Sequence, residues 1–319
     1  MPLHPQAQAF LEVVEEANAL LPPLQERDPA TWRQQGLDLA KQARELPFSP
    51  PVHAETDRTI PGPAGEIPVR VFTPGPGDGY PVLVWFHGGG WVLGGLDGGI
   101  HALRLLTNVA NCVIVSVDYR LAPEHRFPAA VDDCLAATHW VAEHAAEVGA
   151  DPSRIAVGGD SAGGNLAAVV AQLVRDGGPE LAFQLLVCPV TDSDFSRKSY
   201  IANNEGFLLS TEMMEWFWAQ YMGPDGDRTD PRVAPMRTDD LAGLPPAHVI
   251  AAEYDPLADE AVAYAEAMEA AGVDVTMVVA EGHIHDYVMN LGIIDDAETA
   301  IADVARNMTR AFQLAGSED

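Results

Sequence analysis

Lysine is almost missing from this 319-residue chain: Lys41 and Lys198 are the only two, against 47 aspartates and glutamates. Arginine supplies the other cations, the formal net charge is −29, and the isoelectric point falls near 4.4. A surface of that sign repels nucleic acid and anionic membrane, so neither is an expected partner, and anionic substrates are mildly disfavoured. Cysteine is scarce too. Cys112, Cys134 and Cys188 are odd in number and show no Cys-x-x-Cys spacing, which argues against a disulfide framework and against a zinc site and makes buried thiols the expectation. Long apolar runs are absent, and the N-terminal stretch carries Glu12, Glu15 and Glu16 in place of a basic leader. The default expectation is a soluble, cytoplasmic protein.

What is present is enough apolar residue, 47% of the chain, for a substantial core in one large domain with an accessory piece or in two smaller domains. Phe10, Val13, Val14, Ala17, Leu20 and Leu21 recur at helical spacing over residues 6–21. Asp28-Pro29 then reads as the cap and first turn of a second helix over residues 30–46, ended by Pro47, Pro50 and Pro51. Residues 55–60 and 66–72 are short β segments, broken by Pro61-Gly62-Pro63. This divides the chain into a helical arm at 1–50 and a main domain at 51–319. Within the main domain, apolar runs at 82–86, 112–117, 155–157, 183–187, 248–252 and 275–279 alternate with helical stretches near 100–110, 128–148, 162–175, 257–271 and 296–313. Continuous Val/Ile/Leu runs separated by helices predict an α/β architecture with a mostly parallel sheet covered on both faces.

Residues 195–222 break that rhythm. They hold Phe195, Tyr200, Phe207, Trp216, Phe217, Trp218 and Tyr221, seven of the chain's 23 aromatics. A helix is expected from Thr211 to Met222 behind a Ser210 cap. Aromatics on all sides of it exceed what one sheet face can cover, which favours a lid over a pocket against an ordinary core helix.

The stretch Gly159-Asp160-Ser161-Ala162-Gly163 lies between the apolar run at 155–157 and a helix that is apolar nearly all round. Glycines at 159 and 163 let strand and helix approach, so that the Ser161 hydroxyl stands at a sharp corner, the pattern of a nucleophile elbow. A capping serine in a glycine-rich turn fits the same five residues. The flanking sequence decides between them. A serine nucleophile needs a base, an acid to orient that base, and donors for an oxyanion. His87-Gly88-Gly89-Gly90-Trp91 follows a strand and presents unobstructed N–H groups, and it lacks the Gly-Lys-Ser/Thr ending of a phosphate loop. Asp255 follows the strand at 248–252, where it also suits a helix cap, with Asp259 as the alternative acid. His283 and His285 follow the last strand. A metal site on this His-x-His pair finds no third ligand nearby.

Taken in order, His87-Gly-Gly-Gly-Trp91, Asp118-Tyr-Arg-Leu-Ala-Pro-Glu124, Gly159-Asp-Ser-Ala-Gly-Gly164, Glu253-Tyr-Asp-Pro-Leu257 and Ile284-His285 resemble the hormone-sensitive-lipase family of bacterial carboxylesterases across roughly residues 50–290. The resemblance implies an α/β-hydrolase fold with a cap made of the N-terminal helices and the insertion. It implies Ser161 as nucleophile, Asp255 as acid, His285 as base, and the N–H groups of Gly89, Gly90 and Ala162 as the oxyanion hole. His87 and the Asp118–Glu124 stretch are expected to be structural. The expected activity is hydrolysis of short- to medium-chain acyl esters, small molecules, without metal or organic cofactor, in a pocket lined by Trp91, Phe207 and Trp216. A homodimer is also implied. An amidase or peptidase on the same scaffold is the enzyme alternative, and a ligand receptor, which His285 argues against, is the other. One departure stands out: Asp286 and Tyr287 follow the histidine where the family usually has glycine and then an aromatic. A carboxylate there would raise the imidazole pKa or crowd the pocket.

Overall fold

The apolar runs of the sequence become the interior strands of one eight-stranded sheet. A computed structural model describes residues 2–317 except Glu45 and Pro47, so the stop expected at Pro47 lies outside the described residues. The arm holds α1 (Pro5–Asn18) and α2 (Pro29–Ala43), followed by the hairpin of β1 (Ala54–Gly62) and β2 (Gly65–Thr73). Strands and helices then alternate: β3 (Tyr80–Phe86), α3 (Ile100–Val109), β4 (Val113–Val117), α4 (Ala129–His144), β5 (Ala150–Asp160), α5 (Ala162–Arg175) and β6 (Phe183–Val187). The aromatic insertion carries α6 (Lys198–Ala202) and α7 (Thr211–Met222), and the chain closes with β7 (Ala247–Tyr254), α8 (Ala258–Ala270), β8 (Val275–Ile284) and α9 (Asp296–Ala315).

The strand order is β1-β2-β4-β3-β5-β6-β7-β8. The pairs β1/β2 and β2/β4 are antiparallel and the remaining pairs parallel, as the sequence leads one to expect of a mostly parallel sheet. Each face has its own core. One packs Val82, Val84, Val115 and Val157 against Val131, Cys134 and Val141 of α4, Leu166 and Val170 of α5, and Tyr264 and Met268 of α8. The other packs Leu83, Trp85, Ile114 and Leu185 against Leu103 and Leu106 of α3 and Ile301, Val304, Met308 and Phe312 of α9. The α9 residues recur every three or four positions, so one stripe is buried and the polar and charged remainder faces water.

Two expectations need correction. The break at Pro61 falls inside β1, where Pro61 stands opposite Glu66 and the turn is confined to Pro63 and Ala64 between the paired Gly62 and Gly65. A proline is tolerated there because β1 is the outermost strand and its free side needs no N–H donor. At the opposite edge, β8 runs on to Ile284 past the last aliphatic residue of its run, Val279, which is 47% exposed. An edge strand half open to water does not need an apolar pattern, and so its end is not visible in composition.

The arm is attached differently. None of the residues of α2 is buried. Its Trp32 ring meets Trp216 and Phe217 of α7 at centroid distances of 5.6 and 6.3 Å. Arg33 donates to Val92 O (2.7 Å), to Ala122 O (2.8 Å) and to both carboxylate oxygens of Glu124. The caps foreseen at the helix starts are made: Asp28 Oδ2 accepts from Thr31 N and Ser210 Oγ from Met213 N.

Candidate active site

Four neighbouring strand ends bring the chemistry together, and the parallel register says why. Asp160 of β5 is paired with Val187 of β6, and Tyr254 of β7 with Ile284 of β8. The next residue on each strand is therefore set beside its neighbour: Ser161 beside Cys188, and Asp255 beside His285. His285 Nδ1–H donates to Asp255 Oδ2 at 2.7 Å, and Ser161 Oγ lies 3.0 Å from His285 Nε2. The second Asp255 oxygen accepts from Leu257 N at 2.9 Å, which fixes the carboxylate in place. Ser161, Asp255 and His285 are all buried, at 6, 0 and 5% exposure.

Ser161 takes φ 54° and ψ −117°, a conformation an L-residue rarely adopts. The strain is held by close packing on both sides. A Cβ at Gly163 would stand 1.9 Å from Phe86 O, and one at Gly159 would stand 2.3 Å from Gly163 C, so only glycine lets α5 start this near the ends of β3 and β5. Ser161 N donates to Val187 O at 2.8 Å, which pins the corner to β6.

The loop after β3 faces this corner. Gly89 and Gly90 have φ of 110° and 60°, and among the described residues their N–H groups and that of Ala162 make no hydrogen bond. Gly88 N donates instead to Asp160 Oδ1 at 3.0 Å, tying the loop to the elbow. His87 is spent on holding its own loop: Nδ1–H donates to Gly88 O at 2.7 Å and the ring stacks on Tyr119, whose hydroxyl donates to His87 O. Burial holds the His87 imidazole below its usual pKa.

His283 and His285 are separated by an irregularity in the ladder. Paired residues of β7 and β8 are offset by 28 as far as Ala252–Ala280, then by 30 at Tyr254–Ile284. Had the offset stayed at 28, Asp255 would have stood beside His283. As built, His283 Nε2 lies 2.9 Å from Asp296 Oδ2, with its ring between His4 and Tyr287 at centroid distances of 4.9 and 4.3 Å. Asp259, the alternative acid, accepts from Ser199 N at 2.9 Å and is committed to α6.

Charge at the site is lopsided. Burial alone would lower the His285 pKa, but the carboxylates of Asp255 and Asp286 outweigh it and hold the imidazole well above its usual value. Asp286 Oδ2 is 3.2 Å from His285 Nε2. Burial, with Asp286 opposite, pushes Asp160 well above the ordinary carboxylate range. Cys188 Sγ, Asp255 and His285 offer donor atoms within 4.8 Å of one another. Burial drives that thiol up to about 12, so the atom beside the triad is a neutral S–H, while the other two donors are bonded to each other.

A protein-family profile described as alpha/beta hydrolase fold matches residues 83–289. The chain belongs to the α/β hydrolases, in the hormone-sensitive-lipase-like family. Its relatives include the carboxylic ester hydrolase LipN of Mycobacterium tuberculosis, 49% identical over 236 residues that make up 72% of this chain and 63% of LipN. Esterase LipI of the same organism is 45% identical over 83% of this chain and 85% of LipI. Among solved structures, the ester hydrolase EH1AB1 from the metagenome of Lake Arreo, complexed with a bipyridine phosphonate derivative, superposes with a TM-score of 0.92 at 38% identity, covering 98% of this chain and 99% of that one.

This α/β hydrolase places the residues singled out as pocket candidates at two different depths. Trp91 is enclosed, at 0% exposure, with its ring stacked on Tyr221 at 4.4 Å. Trp216 is half-buried against Trp32, and Phe207 is half-buried against the Tyr254 ring at 4.8 Å. Three contacts were beyond sequence reasoning: the Asp160 carboxylate under Gly88 N–H, Cys188 beside the triad, and Arg33 on the loop after Gly90. Among the described residues, no helix is long and apolar enough to cross a membrane.

Proposed function

We propose that this chain hydrolyses carboxylic esters of short- to medium-chain acids through an acyl-enzyme on Ser161. The observation that carries it is the unbroken hydrogen-bond chain Ser161 Oγ, His285 Nε2, His285 Nδ1, Asp255 Oδ2, at 3.0 and 2.7 Å. His285 takes the serine proton at Nε2 as Oγ bonds to the ester carbon, while Asp255 keeps Nδ1–H in place and balances the imidazolium. The carbonyl π pair moves onto its oxygen, which the free N–H groups of Gly89, Gly90 and Ala162 receive. Collapse breaks the bond to the alcohol oxygen, and that oxygen collects the proton from Nε2. Water then enters by the same base, and acid and Ser161 are released. The likeness to LipN, a carboxylic ester hydrolase, and to LipI, an esterase, supports this assignment.

The arm at 1–50 and the insertion at 195–222 form the cap over this site in our proposal. In support, the Phe217 ring sits against Gly90, 2.2 Å from where a Cβ would stand, and Trp32 and Trp216 enclose it. Such crowding over the donors leaves room for short acyl chains, with Phe207 and Trp216 as wall and Trp91 as their buried support. Ser161→Ala should lower turnover of simple esters by several orders of magnitude with the fold intact. In wild type, rates over esters of increasing acyl length should peak at short to medium chains. A variant within about tenfold of wild type would refute the nucleophile, given the usual scale of triad losses.

A further inference from the structure

Asp286 stands where nothing in the ester chemistry requires a charge. Its Oδ2 is 3.2 Å from His285 Nε2, the nitrogen that meets Ser161 Oγ at 3.0 Å. That nitrogen gives its proton to the departing alcohol, so the alcohol oxygen must come within hydrogen-bond reach of it, and hence within roughly two hydrogen-bond lengths of the carboxylate. Whatever the alcohol half of the ester carries near its oxygen is carried past Asp286.

The carboxylate is held in that position. Asp286 has a left-handed backbone, φ 54°, and its carbonyl accepts from Asn290 Nδ2 at 3.0 Å. Its side chain is 20% exposed, and Oδ1 is enclosed with no hydrogen-bond partner among the described residues. The titratable groups that face it are His285 on its own loop, Asp160 at the end of β5 and the Cys188 thiol after β6. Its one ion-pair partner among the described residues is His285. The form of His285 that can take the serine proton is the neutral imidazole. In the state that reacts, Asp286 therefore has no cation beside it.

We infer that Asp286 selects the alcohol half of the substrate, favouring esters whose alcohol carries a cationic group about two carbons from the ester oxygen. The substrate's charge replaces the imidazolium as partner of the carboxylate, and so it binds best to the enzyme whose His285 is ready to act as base. This rests on the ester-hydrolase assignment and adds a substrate class to it. The net charge of −29 attracts cations anywhere on the surface. The contribution of Asp286 is local, and removing it changes that total by a single unit.

The test compares the trimethylammonioethyl (choline) ester of a short acid with its neutral 3,3-dimethylbutyl isostere, in wild type and in Asp286→Asn. Wild type should show a KM about tenfold lower for the cationic ester, the low end of what a partly buried pair of unit charges a few ångströms apart supplies. The acidic limb of kcat should lie at lower pH for that ester than for its isostere, because the bound cation opposes protonation of His285. In Asp286→Asn both differences should vanish, and the acidic limb of kcat/KM for the neutral ester should move to lower pH, since one of the two carboxylates that raise the imidazole is gone. Equal KM values in wild type, or a preference that survives in Asp286→Asn, would overturn the inference. Failure of wild type to hydrolyse either ester would instead sink the ester-hydrolase assignment. Should Asp286→Asn not fold, calorimetry on Ser161→Ala with choline and with 3,3-dimethylbutanol decides the matter: tighter binding of choline, growing as pH rises and His285 loses its proton, is expected, and equal affinities overturn the inference.

Discussion

The strand ends that carry Ser161 and the helices packed on the neighbouring glycine loop are held by different means. The triad grows out of β5, β7 and β8, whose ladders fix each residue against its neighbour and whose nucleophile corner is too crowded for any atom beyond glycine at 159 and 163. Facing it, α2 buries no residue and is attached by the Trp32 ring against Trp216 and Phe217, by Arg33 to the loop carbonyls and Glu124, and, at its C-cap, by Arg44 to Glu55 and Asp97. Elements with little buried apolar surface open at low cost relative to those in the core. The body thus holds the atoms that must not move, and we propose that α2, in contrast to the well-buried α7, is the part able to move aside for a substrate.

The sharpest way to break this contrast is on β8. His285→Ala should lose about three or more orders of magnitude in kcat, the usual scale for a triad base, while His283→Ala should stay within a few-fold. The reverse pattern, measured on one neutral ester, would show that the ladder does not decide which histidine acts.

At the joint between the two regions, Arg33→Ala removes the bonds to Val92 O, Ala122 O and Glu124. Because Val92 lies two residues past Gly90, a proposed oxyanion donor, kcat/KM should fall by about tenfold, the scale of one charge-assisted hydrogen bond, with Arg33→Lys in between and added guanidinium partly restoring Arg33→Ala. Unchanged kinetics would mean that the arm covers the site without positioning it.

The smallest effects belong to the cap wall. Phe207→Ala and Trp216→Ala should shift the acyl-length optimum by a modest factor, since one methylene of pocket is worth about 1–3 kcal/mol. Trp91→Ala, by contrast, should lower stability by about 3–5 kcal/mol, because that ring is enclosed. An unmoved acyl profile in both wall variants would assign the insertion to the core.

What could be foretold from sequence divides along the same line. Ser161, Asp255 and the His283/His285 pair each lie a few residues past an apolar run, so local pattern found the candidates and the family resemblance chose among them. The helix at 162–175 was placed to the residue because buried residues fill it. The end of β8 was lost, since Glu281, Gly282 and His283 carry no apolar signal even though the N-terminal segment covers Gly282 and His283. Arg33 was lost for another reason. Its partners lie 59 to 91 residues away, and nothing in the composition of an exposed helix says which of its charges reaches a distant carbonyl. Cys188 stands near the reacting atoms only through cross-strand register, and Asp160, next to Ser161 in sequence, reaches Gly88 N only because β3 and β5 are paired; no single run of residues encodes either contact.

The two-residue slip between β7 and β8 has a consequence for how this catalyst tolerates change. Side chains on a strand repeat their facing every second residue, so a shift of two returns the same face to the same neighbour. Closing the slip with the chain length kept would restore the earlier offset and bring His283 to Asp255 on the same face, whereas deleting Glu281 and Gly282 would leave His285 beside Asp255. The protein thus carries a second imidazole one dipeptide out of frame, and the slip, as much as residue identity, determines which of the two meets Asp255.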